Sequence, residues 1–389
     1  MLSRRIPHDL APNAWARLLE QRRAAGEPLL DLTETNPTRV GLGGAGPDEL
    51  AALARAESAC YEPDARGSAT ARAAVAGYYR ERGTPVDPGR IVLTASTSES
   101  YAHVFRLLAD PGGTFLVPSP SYPLFEPLAA LEGVALRPYR LAYDGDWHLD
   151  LDSLERAFGP DVRGVIVVQP NHPTGSCLDE AERSALAGLC ERHGAAVVAD
   201  EVFGDFARSG RPAPLPGFTG EERVPTFVLS GLSKVCGMPQ MKLGWMVVGG
   251  PEPARTEALR GLEWIADLFL SVATPVQVAL PHLLGARHAF QWRVRERVAA
   301  NLARLERLVA ARPELGVLRA QGGWAAVLRV PLTMTEEQWA LDLLRQGVVV
   351  HPGHFYDFAG GGHLVVSLIP EPRTFDEALG RIEEFTAGA

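Results

Sequence analysis

VIVVQPNHPTGSCLDEAERSALAGLCERHGAAVVAD, residues 165–200, reads as one strand–helix–strand unit. Val165–Val168 is an apolar run without polar alternation, the pattern of a strand buried on both faces. It breaks into a loop with two prolines, Pro170 and Pro173. A helical stretch follows at 179–193. Ala196–Ala199 is a second apolar run, and it stops at Asp200. Downstream, Thr226–Leu229 repeats the pattern, and 243–248 adds a further strand. Upstream, Ile91–Leu93 leads into a helix that runs to Asp110, and strands are expected at 114–117 and 134–136. Short strands alternating with helices give an α/β fold with a mainly parallel mixed sheet, a three-layer large domain. Polar residues cluster just past the strand ends, where such sheets hold their sites.

The pattern changes after residue 254. Long helical stretches cover about 255–270 and 276–311. Strands are expected at 324–330 and 363–369, with a helix between them at 335–346. That is a smaller α+β domain. Before the sheet come helices at 14–25, 47–60 and 69–82, the second opening on Pro47, Asp48 and Glu49, an acidic first turn suited to a helix N-terminus. The expected division is a large domain over 45–275, with 1–44 and 276–389 forming the small one.

Composition narrows the function classes. The chain has 389 residues, 46% of them hydrophobic, with 47 acidic against 38 basic residues. That suits a globular enzyme and argues against a nucleic-acid binder, which carries a basic surplus. Its four cysteines form no CxxC pair and no cluster with zinc spacing, so no metal site is expected. Free thiols point to a reducing, cytoplasmic setting. No stretch reaches the 18 apolar residues of a membrane span, and the first residues lack the apolar core of a secretion signal.

Four local constellations carry chemistry. In SGLSKVCGMPQMKLGW (230–245), Lys234 follows a strand among Leu232, Val235, Met238 and Leu243. A desolvated lysine loses basicity and becomes an amine nucleophile toward an aldehyde, although a surface charge is the plainer reading of a lone lysine. In AVVADEVFGDF (196–206), Asp200 sits at a strand end, and a carboxylate there can hold a pyridinium nitrogen protonated, cap a helix or bind a metal. VVQPNHPTGS (167–176) is a strand running into proline-anchored turns around Asn171 and His172. LTASTSES (93–100) is a strand followed by hydroxyls at a helix start. There free amides with Thr97 and Ser98 form a phosphate cradle, or simply an N-cap.

In this order the four motifs closely resemble the fold-type I, class I/II aminotransferase family, over nearly the whole chain. The resemblance implies pyridoxal 5'-phosphate as cofactor, with Lys234 as its Schiff-base lysine beside Ser233. It implies Asp200 for the ring nitrogen, Tyr122 in PSYPLF for stacking on the ring, and Thr97 and Ser98 for the phosphate. Lys242 stands where relatives carry a phosphate-binding arginine. Asn171 and His172 fall in the AsnProThrGly motif, which here reads HisProThrGly, and Phe203 replaces a frequent tyrosine. The family is generally a homodimer, and Tyr61 resembles the tyrosine that reaches the phosphate of the neighbouring subunit.

One departure bears on the substrate. Many relatives place a carboxylate-binding arginine near Val365, and GHLVVSLIP (362–370) has none. Asn36 and Arg39 in the N-terminal loop, Arg329 and Arg373 are the candidate replacements, with Tyr356 a candidate pocket wall. The resemblance implies transamination between an amino acid and a 2-oxo acid. Other reactions on the same scaffold, namely β-elimination, decarboxylation or cyclisation, are the alternative, and a non-catalytic cofactor-binding regulator is the alternative from another class. GLGGAG (41–46) lacks the strand before it that a dinucleotide fingerprint needs and reads as a loop.

Overall fold

The computed structural model describes residue 3 and residues 5–7, 10–208 and 215–388. Its large sheet has eight strands: β1 Ile91–Thr94, β2 Thr114–Ser119, β3 Ala135–Tyr143, β4 Trp147–Leu149, β5 Val162–Val168, β6 Ala196–Asp200, β7 Thr226–Gly231 and β8 Gly244–Gly249. Their order across the sheet is β1-β8-β7-β6-β5-β2-β3-β4. The run β7-β6-β5-β2-β3 is parallel, while β8 pairs antiparallel with both β1 and β7, so β1 points the same way as the parallel run.

The apolar runs behave as buried parallel strands should. Val165 and Val167 of β5 pack on one face with Val197, Ala199 and Val228. Ile166 and Val168 pack on the other with Val198, Phe227 and Leu229. The first face is covered by helices Ala69–Glu81, Leu151–Ala157, Glu180–His193 and Thr274–Gly285, the second by Thr97–Leu108, Phe125–Glu132 and Glu252–Asp267. This is the expected three-layer arrangement. The connecting helix 180–193 is delimited at both ends. Asp179 and Glu182 form a reciprocal capping box, and Gly194 closes it at φ 65°.

The second sheet is antiparallel, in the order Gly316–Val317, Ala325–Arg329, His363–Ser367, His351–Pro352. It packs with helices Arg287–Ala311, Glu336–Arg345 and Pro372–Gly388. The N-terminal segment joins this unit: Trp15, Leu19 and Leu32 share its apolar core with Phe290, Trp339 and Phe375, and Leu30–Asp31 pairs with Val348–Val349.

Several expectations need correction. The single helix expected over 276–311 is two, broken at Ala286 between Thr274–Gly285 and Arg287–Ala311. The stretch 47–60 is one short helix, Pro47–Ala51, followed by two 3-10 turns. The strand β3 is far longer than 134–136 and turns back into β4. Because Val276, Ala279, Leu280, Leu283 and Leu284 lie in the core of the large sheet, we propose that the large unit extends through Gly285 rather than ending at 275.

Candidate active site

The carboxyl ends of β1, β2, β5, β6 and β7 lie along one edge of the large sheet, and each delivers one motif there. Asp200 is the last residue of β6. It is buried, accepts hydrogen bonds from the Val202 amide (3.2 Å) and the Tyr101 hydroxyl (3.2 Å), and burial pushes its carboxyl up to about 6. Tyr101 lies four residues past Thr97 on the helix Thr97–Leu108. That hydrogen bond therefore fixes the helix N-terminus relative to Asp200. Ser96 caps this helix by accepting from the Glu99 amide, which leaves the Thr97 and Ser98 amides without intrahelical acceptors.

Lys234 follows β7 in the short helix Leu232–Val235. Its Nζ lies 5.5 Å from the centre of the Phe203 ring and 5.0 Å from that of Trp324. Burial drives the amine down to about 8, while the carboxylates of Asp200 and Glu34 act in the other direction. Lys234 and Lys242 are the only lysines in a chain whose other 36 basic residues are arginine. Arginine cannot serve as an amine nucleophile. The retention of lysine at Lys234 is thus a sequence signal that motif reading passes over. Lys242 is exposed, in a left-handed conformation at φ 51°. Two residues on, a Cβ at Gly244 would lie 3.1 Å from the Ser96 carbonyl carbon, so the Lys242 segment runs beside the cap of helix Thr97–Leu108.

His172 occupies the middle of an aromatic group. Its ring is 6.1 Å from Phe203, 5.5 Å from Tyr356 and 6.0 Å from Tyr122. Burial, with help from Lys234 and His351, pushes it down to about 3, so it is neutral and offers one N–H and one acceptor. Tyr122 keeps 38% of its surface exposed, leaving its ring free to cover a ligand. Ser233 is half-buried beside Lys234.

Asn171 stands apart from the other predicted cofactor residues. Its amide nitrogen donates to the Pro120 carbonyl (3.0 Å) and Thr174 Oγ1 (2.9 Å), and its oxygen accepts from Ser121 (3.2 Å). Both N–H groups are spent, so Asn171 braces the loop rather than facing a ligand. Tyr61 is 74% exposed and lines a pocket with Leu270 and Val272 to which Lys234 does not contribute.

The substrate candidates divide sharply. Arg329 lies five residues beyond Trp324 along an extended strand, about 16 Å further on at roughly 3.3 Å per residue, and it is exposed. It cannot reach the site from there. Arg373 is exposed on the first turn of the C-terminal helix, and no described hydrogen bond or ion pair ties it to the site. The N-terminal loop does approach. Glu34 acts on Lys234 and pairs with Arg39 at 3.5 Å. Asn36, however, uses its side-chain oxygen to cap its own 3-10 turn at Thr38. Val365 is buried with Ala325 and Tyr356, and the Tyr356 hydroxyl is 2.8 Å from His351 Nδ1. The position of the absent arginine is thus filled by apolar packing. Glu34 and Tyr101 had no signal in the motifs. The glycine-rich loop 41–46 is a close-packing device. Gly44 donates to the Gly237 carbonyl at 3.2 Å, and a Cβ there would fall 1.7 Å from the Cys236 carbonyl oxygen.

A buried strand-end carboxylate, a desolvated lysine and an unfilled helix N-terminus on one α/β sheet edge define an enzyme site for an anionic, electron-withdrawing cofactor. The sequence matches the family described as aminotransferase class I and II over residues 45–382. The chain belongs to that family and is an enzyme that transfers amino groups. It is 25% identical to glutamate-pyruvate aminotransferase AlaA of Escherichia coli K12 over 96% of this chain and 93% of that protein. A shorter match, 31% identical over 58% of this chain and 49% of the other, is to S-alkyl-thiohydroximate lyase SUR1 of Arabidopsis thaliana. The fold superimposes on an alanine aminotransferase from Pyrococcus furiosus with a TM-score of 0.91, covering all of both chains at 23% identity. Among the described residues, no helix is long and apolar enough to cross a membrane.

Proposed function

We propose that this enzyme uses pyridoxal 5'-phosphate to exchange an amino group between an amino acid and a 2-oxo acid in a ping-pong cycle, as a cytoplasmic homodimer. The observation that carries this reading is the pairing of Lys234, held near 8 by burial, with the buried carboxylate of Asp200. The residues fit the cofactor. Lys234 would hold it through Nζ, Asp200 its ring nitrogen, Tyr122 its ring face, His172 its ring oxygen, and Thr97, Ser98, Ser233 and Lys242 its phosphate. Bound there, the cofactor supplies the electron sink that makes a bond at the substrate α-carbon labile.

The chain's own groups supply the rest. An amine with a pKa near 8 is partly unprotonated at neutral pH, so Lys234 can take a proton from the substrate α-carbon and return it on the other side of the exchange. Phe203 and Trp324 flank that amine and limit its solvation. Neutral His172 donates a single hydrogen bond without adding a second cation. Arg39 is the substrate-carboxylate group. Among the described residues its side chain makes one long contact, to Glu34, which leaves most of the guanidinium free, and a bidentate grip is what that fork suits.

Tyr61 contributes to the partner's site. It borders an exposed apolar stretch with Trp264 (68% exposed), Leu268, Phe269 and Leu270, the kind of patch that a second copy covers. None of the four cysteines is joined in a disulfide, which suits a reducing compartment.

A second reading, β-elimination, has one observation behind it, the local similarity to a protein named as a lyase. Steady-state kinetics with varied amino acid and varied 2-oxo acid separate the two. Transamination gives parallel double-reciprocal lines and no free ammonia. Ammonia released without a 2-oxo acid would replace it with elimination.

A further inference from the structure

The helix that carries Lys234 has four residues, Leu232–Val235. A single turn has no stability of its own, so the position of the amine is set by what packs on the turn. The Val235 carbonyl accepts a hydrogen bond from Gln291 Nε2 at 3.0 Å. The same nitrogen donates to Asp205 Oδ2 at 2.9 Å. An amide nitrogen has two protons, and both are spent here. Gln291 and Asp205 are buried.

Asp205 closes the turn that begins at Asp200 and carries Phe203. Its carboxylate is anchored in turn by the Tyr78 hydroxyl at 2.9 Å and by Arg82 at 3.3 Å, both from the helix and its end at 69–82. One side-chain amide therefore ties together the turn behind Lys234 and the turn that presents Phe203. The neighbouring residue on the same helix, Phe290, packs against Gly237, where a Cβ would come within 2.3 Å of its ring, and also against Trp324 at 6.2 Å. Both rings that flank Nζ are thus held by groups around Gln291.

We propose that Gln291 is a positioning residue for Lys234, bolting the lysine turn to the Asp200–Phe203 turn so that the amine stays between Phe203 and Trp324. The proposal rests on the reading of Lys234 as the reacting amine. Replacing Gln291 removes one donor each from a backbone carbonyl and a carboxylate in buried residues. The two turns then separate, and the amine moves toward water.

The test uses Gln291→Met, which keeps the length and deletes both donors, and Gln291→Asn, which keeps the amide but is too short to span both acceptors. With only two lysines in the chain, acetylation of Lys234 relative to exposed Lys242 can be read by mass spectrometry of the full-length protein stripped of cofactor. A rise of one unit in the amine pKa from about 8 cuts its neutral fraction at pH 8 by about fivefold. The expected result in Gln291→Met is a fall of that size in the Lys234 to Lys242 ratio. In the reconstituted enzyme, kcat falls about tenfold while KM changes less than twofold. An acetylation ratio and a kcat within twofold of the parent overturn the proposal, even if the melting temperature drops, since Gln291 is then only a core brace. Should Gln291→Met not fold, Gln291→Asn is judged by the same two readouts, and failure of both variants to fold overturns a role specific to the amine. Lys234→Ala separates the two levels: if it still transfers amino groups, the reading of Lys234 fails whatever Gln291 does.

Discussion

Replacing Asp200 with asparagine should stabilise the cofactor-free chain at neutral pH while disabling the enzyme. Burial holds Asp200 at about 6 against an ordinary 3.8. The shift of about two units corresponds to about 3 kcal/mol at 1.36 kcal/mol per unit. The folded chain keeps a proton that the unfolded chain has already lost. Stability therefore falls as pH rises from about 4 to about 6 and is level above that. About 1.6 kcal/mol of the loss is present at pH 5 and nearly all of it, about 3 kcal/mol, at pH 7. Asparagine has no proton to lose, and it keeps an acceptor for the Val202 amide and the Tyr101 hydroxyl. Urea unfolding of the cofactor-free parent and Asp200→Asn, followed by tryptophan fluorescence at pH 5, 6, 7 and 8, measures the difference directly. The variant should gain on the parent by about 1.3 kcal/mol between pH 5 and pH 7. Bound cofactor should reverse the order, because a protonated ring nitrogen pairs with the carboxylate and not with the amide. A difference that does not change with pH, or that favours the cofactor-free parent at pH 7, would refute the argument.

Three further outcomes are expected. Acetylation of Lys234 in the cofactor-free protein should rise with pH and level off above about 8, while the amine in the unfolded chain keeps rising toward its ordinary 10.5; a folded-state midpoint above 9.5 contradicts a desolvated amine. Arg39→Ala should raise KM for the amino donor about a hundredfold, the loss of two charge-assisted hydrogen bonds of about 3 kcal/mol together, whereas Arg329→Ala should leave KM unchanged; the reverse pattern moves the carboxylate grip elsewhere. Trp264→Glu should give a monomer in sedimentation and abolish activity, because Tyr61 then reaches no neighbouring site; an active monomer contradicts the shared site.

The site was legible where chemistry sits beside a strand end in the chain itself. Asp200, Lys234 and Thr97 each follow an apolar run, so the strand pattern and the motif announce each other. The parallel core was legible for the same reason, since strands buried on both faces carry no polar residues. What escaped depended on distance in space. Arg329 was a candidate because of its charge, yet the strand carries it away from Trp324. Glu34 and Tyr101 reach the site through the fold of a loop and one helical turn. Gln291 and Asp205 are separated by more than eighty residues, and no local pattern marks a polar side chain destined for burial. The half-buried, charge-bearing strand Ala135–Tyr143 lacked the apolar run that revealed its neighbours. The break at Ala286 falls inside sequence that is helix-forming on both sides.

The most direct test of the account is the absorbance spectrum of the purified protein with pyridoxal 5'-phosphate, taken for the parent and for Lys234→Ala, before and after adding an amino acid. The account predicts a visible band in the parent that converts on adding the donor and returns with a 2-oxo acid, and no such cycle in Lys234→Ala. A parent that binds no cofactor, or a Lys234→Ala variant that cycles like the parent, would contradict it.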